Sequence, residues 1–250
     1  MRPLLRAATL PVRDVMRGLA RALTRPLDLV WILGGTAAAW WVYVPLHELL
    51  HALACRAAGG RVWRLEIAAA YGGRLLAHWL PWVSAGGDYA GRLAGFDTGG
   101  SDAVYLATAL GPFVLTLLPG VWALRRAARA ARPLLVGLAL PCALAPFLSL
   151  TGDAYEIGSI LVTRLAPWRA ASPLLRGDDV LRVAAGLAGG RASLWMGLAA
   201  ASLVGVLWAF AIYGLGGVVA TALGESVPSG EEPSPTPRSA TVRSSTANCQ

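Results

Sequence analysis

The chain has 250 residues, 56% hydrophobic and 14% charged, and its 22 basic against 14 acidic residues give a formal net charge of +8. An ordinary soluble domain carries roughly 25% charged residues, so this composition excludes a typical soluble globule, together with disordered, collagen-like and disulfide-scaffold chains. Every basic residue is an arginine, and the arginines lie between apolar blocks of about 20 residues, long enough to cross a hydrocarbon core of roughly 30 Å. The expected fold class is an all-α polytopic membrane protein with about four transmembrane helices. The arginines point to contact with a lipid bilayer bearing anionic headgroups and not to nucleic acid, because no Arg-rich surface is interleaved with stackable aromatics. Cys55, Cys142 and Cys249 have no CxxC spacing and define neither a disulfide framework nor a thiolate metal site.

Residues 1–26 carry Arg13, Arg17, Arg21 and Arg25 at four-residue spacing, with Val12, Val15, Met16, Leu19 and Leu23 between them. This predicts a basic amphipathic helix on a membrane surface, although an organelle transit segment has a similar make-up. A first span is expected from about Leu29 to Ala54, with a kink or restart at Pro45. The stretch GGRVWRLEIAAAYGG, residues 59–73, places β-branched and aromatic residues between glycine pairs and reads as one or two short, membrane-associated strands. RLLAHWLPWV follows, and then GGDYAGRLAGFDTGGSD reads as a polar loop at or outside the interface. Trp63, Trp79 and Trp82 suit the headgroup region.

A second span is expected from about Ala103 to Leu124, ending at the RRAARAAR loop, and a third from Pro133 to Leu150, leading into TGDAYEIGSILVTRL. Within the connecting segment 167–192, DDVLRVAAGL reads as a short surface helix with its aspartates at the end favoured by the helix dipole. A fourth span covers about Ser193 to Leu223, so that residues 27–223 form a transmembrane core. The Pro-, Ser- and Thr-rich residues 224–250 read as a disordered tail. Arginines at 17–25 and 125–132 favour a cytoplasmic N-terminus, whereas Arg56, Arg61 and Arg164 weigh on the other side, which leaves the orientation open.

The chemistry-bearing residues are few. Histidine occurs only as His47, His51 and His78. Inside the first span, His47-Glu48-Leu49-Leu50-His51 sets two imidazoles at i and i+4, on one helix face about 6 Å apart, where both reach one ion. Glu48 is offset by one residue, so it stands beside a coordinated water, takes its proton and later gives one to the leaving amine; zinc brings that water's pKa to about 7. Charged residues within an apolar helix cost on the order of 2.5–3.5 kcal/mol on insertion scales, so the cluster calls for a function. The alternative is a pair of helix-end residues at the headgroups, with Glu48 paired to Arg56.

A hydrolytic zinc site commonly has a third protein ligand and one open position. Asp153 and Glu156 lead the candidates, with His78 behind them. If the first three spans cross alternately, spans one and three run parallel and bring Asp153 to the depth of the histidines. Glu156 lies three residues on, so that where helix persists one of the two ligates while the other orients a ligand or the water. The alternatives are that Asp153 caps the helix that follows it and that His78, beside Trp79, is an interfacial histidine.

HELLHALACRAAGGRVWRLEIAAAYGG, ATALGPFVLTLLPG and TGDAYEIGSIL resemble, in order and spacing, the three signatures of the site-2 protease family of intramembrane zinc metalloproteases. The resemblance runs from roughly Trp31 to Leu165. It implies that His47, His51 and Asp153 ligate Zn2+, that Glu48 is the catalytic base, and that Gly111 and Pro112 belong to a packing helix beside the site. Two departures stand out: the aspartate motif reads Thr-Gly-Asp-Ala, and apolar residues around Leu115 replace the asparagine often found after the Gly-Pro turn.

The function expected from these residues is an intramembrane zinc-dependent endopeptidase of a bacterial-type cell membrane, acting on membrane-protein substrates in or near their transmembrane segments. An unwound substrate strand is expected to pair near Val62, Leu65 and Ile67. The alternative is a non-proteolytic membrane scaffold or regulator that retains a zinc site. A transporter ranks last, because only one compact polar cluster and no inverted repeat is visible.

Overall fold

The computed structural model describes residues 2–225, so the tail expected at 224–250 lies almost wholly outside the described residues. The elements in chain order are α1 (Arg2–Ala22), α2 (Pro26–Ala57), β1 (Arg61–Ile67), α3 (Gly73–Trp79), β2 (Val83–Ala85), β3 (Gly91–Asp97), α4 (Asp102–Leu110), α5 (Val121–Arg129), α6 (Pro133–Leu148), α7 (Asp153–Val162), α8 (Ser172–Leu175), α9 (Val180–Gly186) and α10 (Ala192–Ala222). Four helical runs are long and apolar enough to cross a membrane: Pro26–Ala57, Asp102–Arg129, Pro133–Val162 and Ala192–Ala222.

Three local readings need correction. α2 runs through Pro45 with no restart; one proline removes a single backbone hydrogen bond, and the packing of Tyr43 and Val44 before it and Leu50 after it in one cluster with Leu115 and Ala145 holds the helix on both sides. The stretch read as a polar loop contains β3, which pairs antiparallel with β1 from Arg61↔Asp97 to Ile67↔Gly91. The third run does not end near Leu150 but continues to Val162, divided at Ser149–Gly152 into α6 and α7, so Asp153 opens a helix inside the run.

α2 and the α6–α7 run lie side by side and parallel. Their contacts advance together along both chains: Gly35 meets Leu134 and Leu138, Thr36 Oγ1 donates to the Gly137 carbonyl at 3.3 Å, Tyr43 and Val44 pack with Ala145, and His47 and His51 face Asp153. Small residues permit this approach; a Cβ on Gly35 would lie 2.6 Å from the Leu134 carbonyl oxygen. Gly111 and Pro112 form a 3-10 turn after α4, and Pro112 is buried against this assembly.

α1 is amphipathic, as its arginine spacing predicts. Val15, Leu19 and Ala22 pack on Leu124, Ala127 and Val136, while Val12 and Met16 stay exposed. Its Asp14 is buried: Oδ2 accepts from Arg125 Nε at 2.8 Å and from the Tyr213 hydroxyl at 3.3 Å, and Arg125 Nη1 also donates to the Gly217 carbonyl at 2.9 Å. An ion pair and its hydrogen bonds therefore fasten α1 to α5 and α10.

The three strands form a sheet in the order β2-β1-β3, with β1 and β2 parallel. Leu49, Ala52 and Cys55 of α2 bury Val62, Leu65 and Ile67 of β1, which sets the sheet against the C-terminal half of α2. α9 forms as its sequence predicts, with Asp179 accepting from the backbone N–H groups of Leu181 and Arg182 at 2.8 and 3.2 Å.

Candidate metal centre

α2 turns Tyr43, His47 and His51 toward α6 and α7 at successive four-residue steps, and the start of α7 supplies Asp153. His47 Nε2 lies 2.9 Å from Asp153 Oδ2, and His51 Nε2 lies 3.3 Å from Asp153 Oδ1. One ligand atom from each of the three residues falls within 4.8 Å of the others, and this is the group among the described residues that could hold a metal ion. Asp153 does not cap α7: Gly152 occupies the N-cap position and no side chain caps the helix end. The carboxylate is thus free to face the histidines.

The donor set fits a divalent cation of tetrahedral habit on three observations. Ligands at about 2.0–2.1 Å from such an ion stand about 3.3 Å from one another, close to the two nitrogen–oxygen separations. Asp153 Oδ2 is buried with no hydrogen-bond donor correctly directed at it, despite the nearness of His47, and such an orphaned anionic oxygen is costly without a cation. His51 Nδ1 lies 2.8 Å from the Thr108 carbonyl, which only accepts. Nδ1 must therefore carry a proton, and in the neutral ring Nε2 presents its lone pair toward the carboxylate, an opposition that a cation between them relieves.

Glu48 lies on the neighbouring face of α2, toward β3. A Cβ at Gly91 would overlap Glu48 Cγ, so the glycine opening β3 makes room for this side chain. Glu48, His51, Asp153 and Glu156 line one cavity of about 510 Å³, whose walls also include Tyr105 and residues 91–94 of β3. Glu156 is 8% exposed and lies close to the Tyr105 hydroxyl; it borders the centre without joining the ligand group. Two links beside the cavity join the start of β3 to the chain around the start of α9: Arg92 Nη2 of β3 pairs with Asp178 Oδ2 at 3.0 Å, and Arg182 of α9 contacts the hydroxyl of Tyr89, just before β3. The start of α9 is tied to the Asp153 turn by the Val180 N–H, which donates to the Thr151 carbonyl at 2.8 Å.

Two expectations move. His78 is exposed on α3, stacked edge-on with Trp79, and contributes no ligand to the centre. β1 is the middle strand: Leu65 and Ile67 are paired on one side with Val83 and Ala85 and on the other with Leu93 and Gly91, and the Val62 carbonyl accepts from Arg56 Nη2 at 2.9 Å. The backbone at Val62, Leu65 and Ile67 is therefore taken, and the open edge bordering the cavity belongs to β3. Tyr43, the Thr108 carbonyl and Gly91 were not apparent as parts of the centre. Only Tyr43 had a readable signal, its place four residues before His47.

No protein-family model matches the chain, and neither a curated protein nor a solved structure matches it.

Proposed function

We propose that this chain is an intramembrane zinc-dependent endopeptidase similar to the site-2 protease family, a multi-pass protein of a bacterial-type cell membrane that cuts membrane-protein substrates in or near a transmembrane segment. The observation that carries the reading is the convergence of His47 and His51 with Asp153, about 100 residues away in sequence, beside a cavity into which Glu48 also faces. Two imidazoles and a carboxylate are a donor set of catalytic zinc sites. When bound, zinc supplies Lewis acidity that polarises a peptide carbonyl and acidifies water.

The chain's own residues account for the rest. His47, His51 and Asp153 hold the ion. The Glu48 carboxylate forms no hydrogen bond or ion pair with a protein group among the described residues and faces the cavity, so it serves as the base that takes a proton from water and returns it to the leaving amine. A helical substrate hides its peptide bonds in its own hydrogen bonds, so it must unwind to be cut. The free edge of β3 supplies backbone donors and acceptors for such an extended segment, directly beside Glu48. The exposed apolar faces of the four long helices suit lipid, and the arginines around them suit anionic headgroups.

The test is a reconstitution of the purified chain in liposomes with a single-span test peptide. The wild type cleaves it and Glu48→Gln does not, while both retain zinc; equal cleavage by the two removes Glu48 from the chemistry. One observation favours the second reading, a non-proteolytic scaffold or regulator. Leu115, in the region where the site-2 protease family often carries asparagine, is buried among Tyr43, Val44 and Ala145 and offers no polar group. A wild type that binds zinc and cleaves no membrane peptide supports that reading.

A further inference from the structure

We propose that Tyr43 is a positioning residue for the metal centre, its hydroxyl orienting the His47 ring and accepting from Nδ1–H when Nε2 ligates; the inference rests on the reading of His47, His51 and Asp153 as a metal site. The Tyr43 hydroxyl lies 2.8 Å from His47 Nδ1, and the side chain is 5% exposed. The two rings are tilted with centroids 5.2 Å apart, and Trp40, Val44, Leu115 and Ala145 surround the tyrosine. The hydroxyl is fixed by packing at the one ring nitrogen of His47 that faces away from Asp153.

A neutral imidazole carries its proton on one nitrogen and a lone pair on the other. Coordination through Nε2 requires the proton on Nδ1, and a buried Nδ1–H requires an acceptor. His51 has one that cannot donate, the Thr108 carbonyl. His47 has the Tyr43 oxygen, which accepts from Nδ1–H in the ligating tautomer and donates to Nδ1 in the other. The centre thus pairs one histidine locked by a carbonyl with one whose partner serves both tautomers. His47 keeps a hydrogen bond whether or not the ion is bound, and its ring stays oriented.

Replacing the hydroxyl by hydrogen in Tyr43→Phe keeps the ring and its packing and removes only the hydrogen-bonding group. The ligating tautomer then buries an N–H without a partner, whereas the opposite tautomer buries only a lone pair. Losing such an outer partner typically lowers metal affinity 10–100-fold. The experiment is a zinc titration of the purified full chain in detergent against a chromophoric chelator, with cobalt(II) absorption as a second measurement of the ligand field. Tyr43→Phe is expected to raise the zinc Kd 10–100-fold, to weaken cobalt binding in parallel, and to leave the metal-free chain folded with a cooperative thermal transition. A Tyr43→Phe Kd within twofold of the wild type, in a chain that binds zinc through His47 and Asp153, overturns the inference and leaves the functional reading standing. A wild type that binds no zinc overturns both.

Discussion

Replacing Gly35 or its neighbour Gly34 by alanine separates the packing of α2 on α6 from the intrinsic preferences of the helix. A Cβ on Gly35 meets the Leu134 carbonyl oxygen at 2.6 Å and Leu138 N at 3.2 Å, whereas one on Gly34 meets nothing within 4 Å. Ordinary contact begins at 3.4 Å, so Gly35→Ala must push the two helices apart by about 0.8 Å, and overpacking of this kind costs about 1–3 kcal/mol. Gly34→Ala carries no such cost and gains up to about 1 kcal/mol of helix propensity. Because α2 and the α6–α7 run stay in parallel register up to the histidines, the separation is felt at Asp153, where metal–ligand distances tolerate only about 0.2 Å. If about 1.4 kcal/mol of the strain reaches the centre, zinc affinity falls tenfold. Thermal unfolding in detergent and a zinc titration measure both effects. Gly35→Ala is expected to lose stability and affinity while Gly34→Ala loses neither; equal behaviour of the two variants refutes the close approach and its coupling to the site.

Gly91→Ala places a methyl group against Glu48 Cγ, so cleavage of a test peptide should fall while zinc content is kept; loss of zinc alongside activity would place Glu48 wrongly. Asp14→Ala leaves Arg125 buried without its carboxylate, which should lower stability by about 3–5 kcal/mol; a change below 1 kcal/mol in denaturant titrations contradicts the buried pair. The Arg92–Asp178 pair beside the cavity is exposed to about two-fifths, so a double-mutant cycle should return less than about 1 kcal/mol, and a larger coupling means that this contact clamps β3 to the start of α9.

Much of this architecture is local and was legible in the chain. The four long runs follow from apolar block length, α9 from its Asp179 cap, and the two-histidine face of α2 from the spacing of His47 and His51. The approach of Asp153 followed from counting alternating spans, since each of the two motifs lies about 20 residues into its run, roughly 30 Å of helix rise. What stayed hidden depends on partners distant in sequence. β3 lies in a glycine-rich stretch with little strand character of its own and forms because β1 supplies its hydrogen bonds. The same pairing order makes β1 central and leaves β3 at the edge, which no local pattern encodes. Tyr43 in an apolar helix looks like packing until its hydroxyl is found 2.8 Å from His47. Pro45 signals a kink or restart because the chain shows the missing hydrogen bond, whereas the contacts that carry α2 past it come from Leu115 and Ala145, distant in sequence.

Zinc content reads whether the two histidines of α2 and the aspartate of α7 form a single zinc site, as proposed. Purified full-length chain, dialysed against buffered zinc and measured by elemental analysis, should hold about one zinc per chain in the wild type, and both His47→Ala and Asp153→Ala should lose it while remaining folded. Retention of zinc by Asp153→Ala at the wild-type level, or its absence from the wild type, contradicts the account.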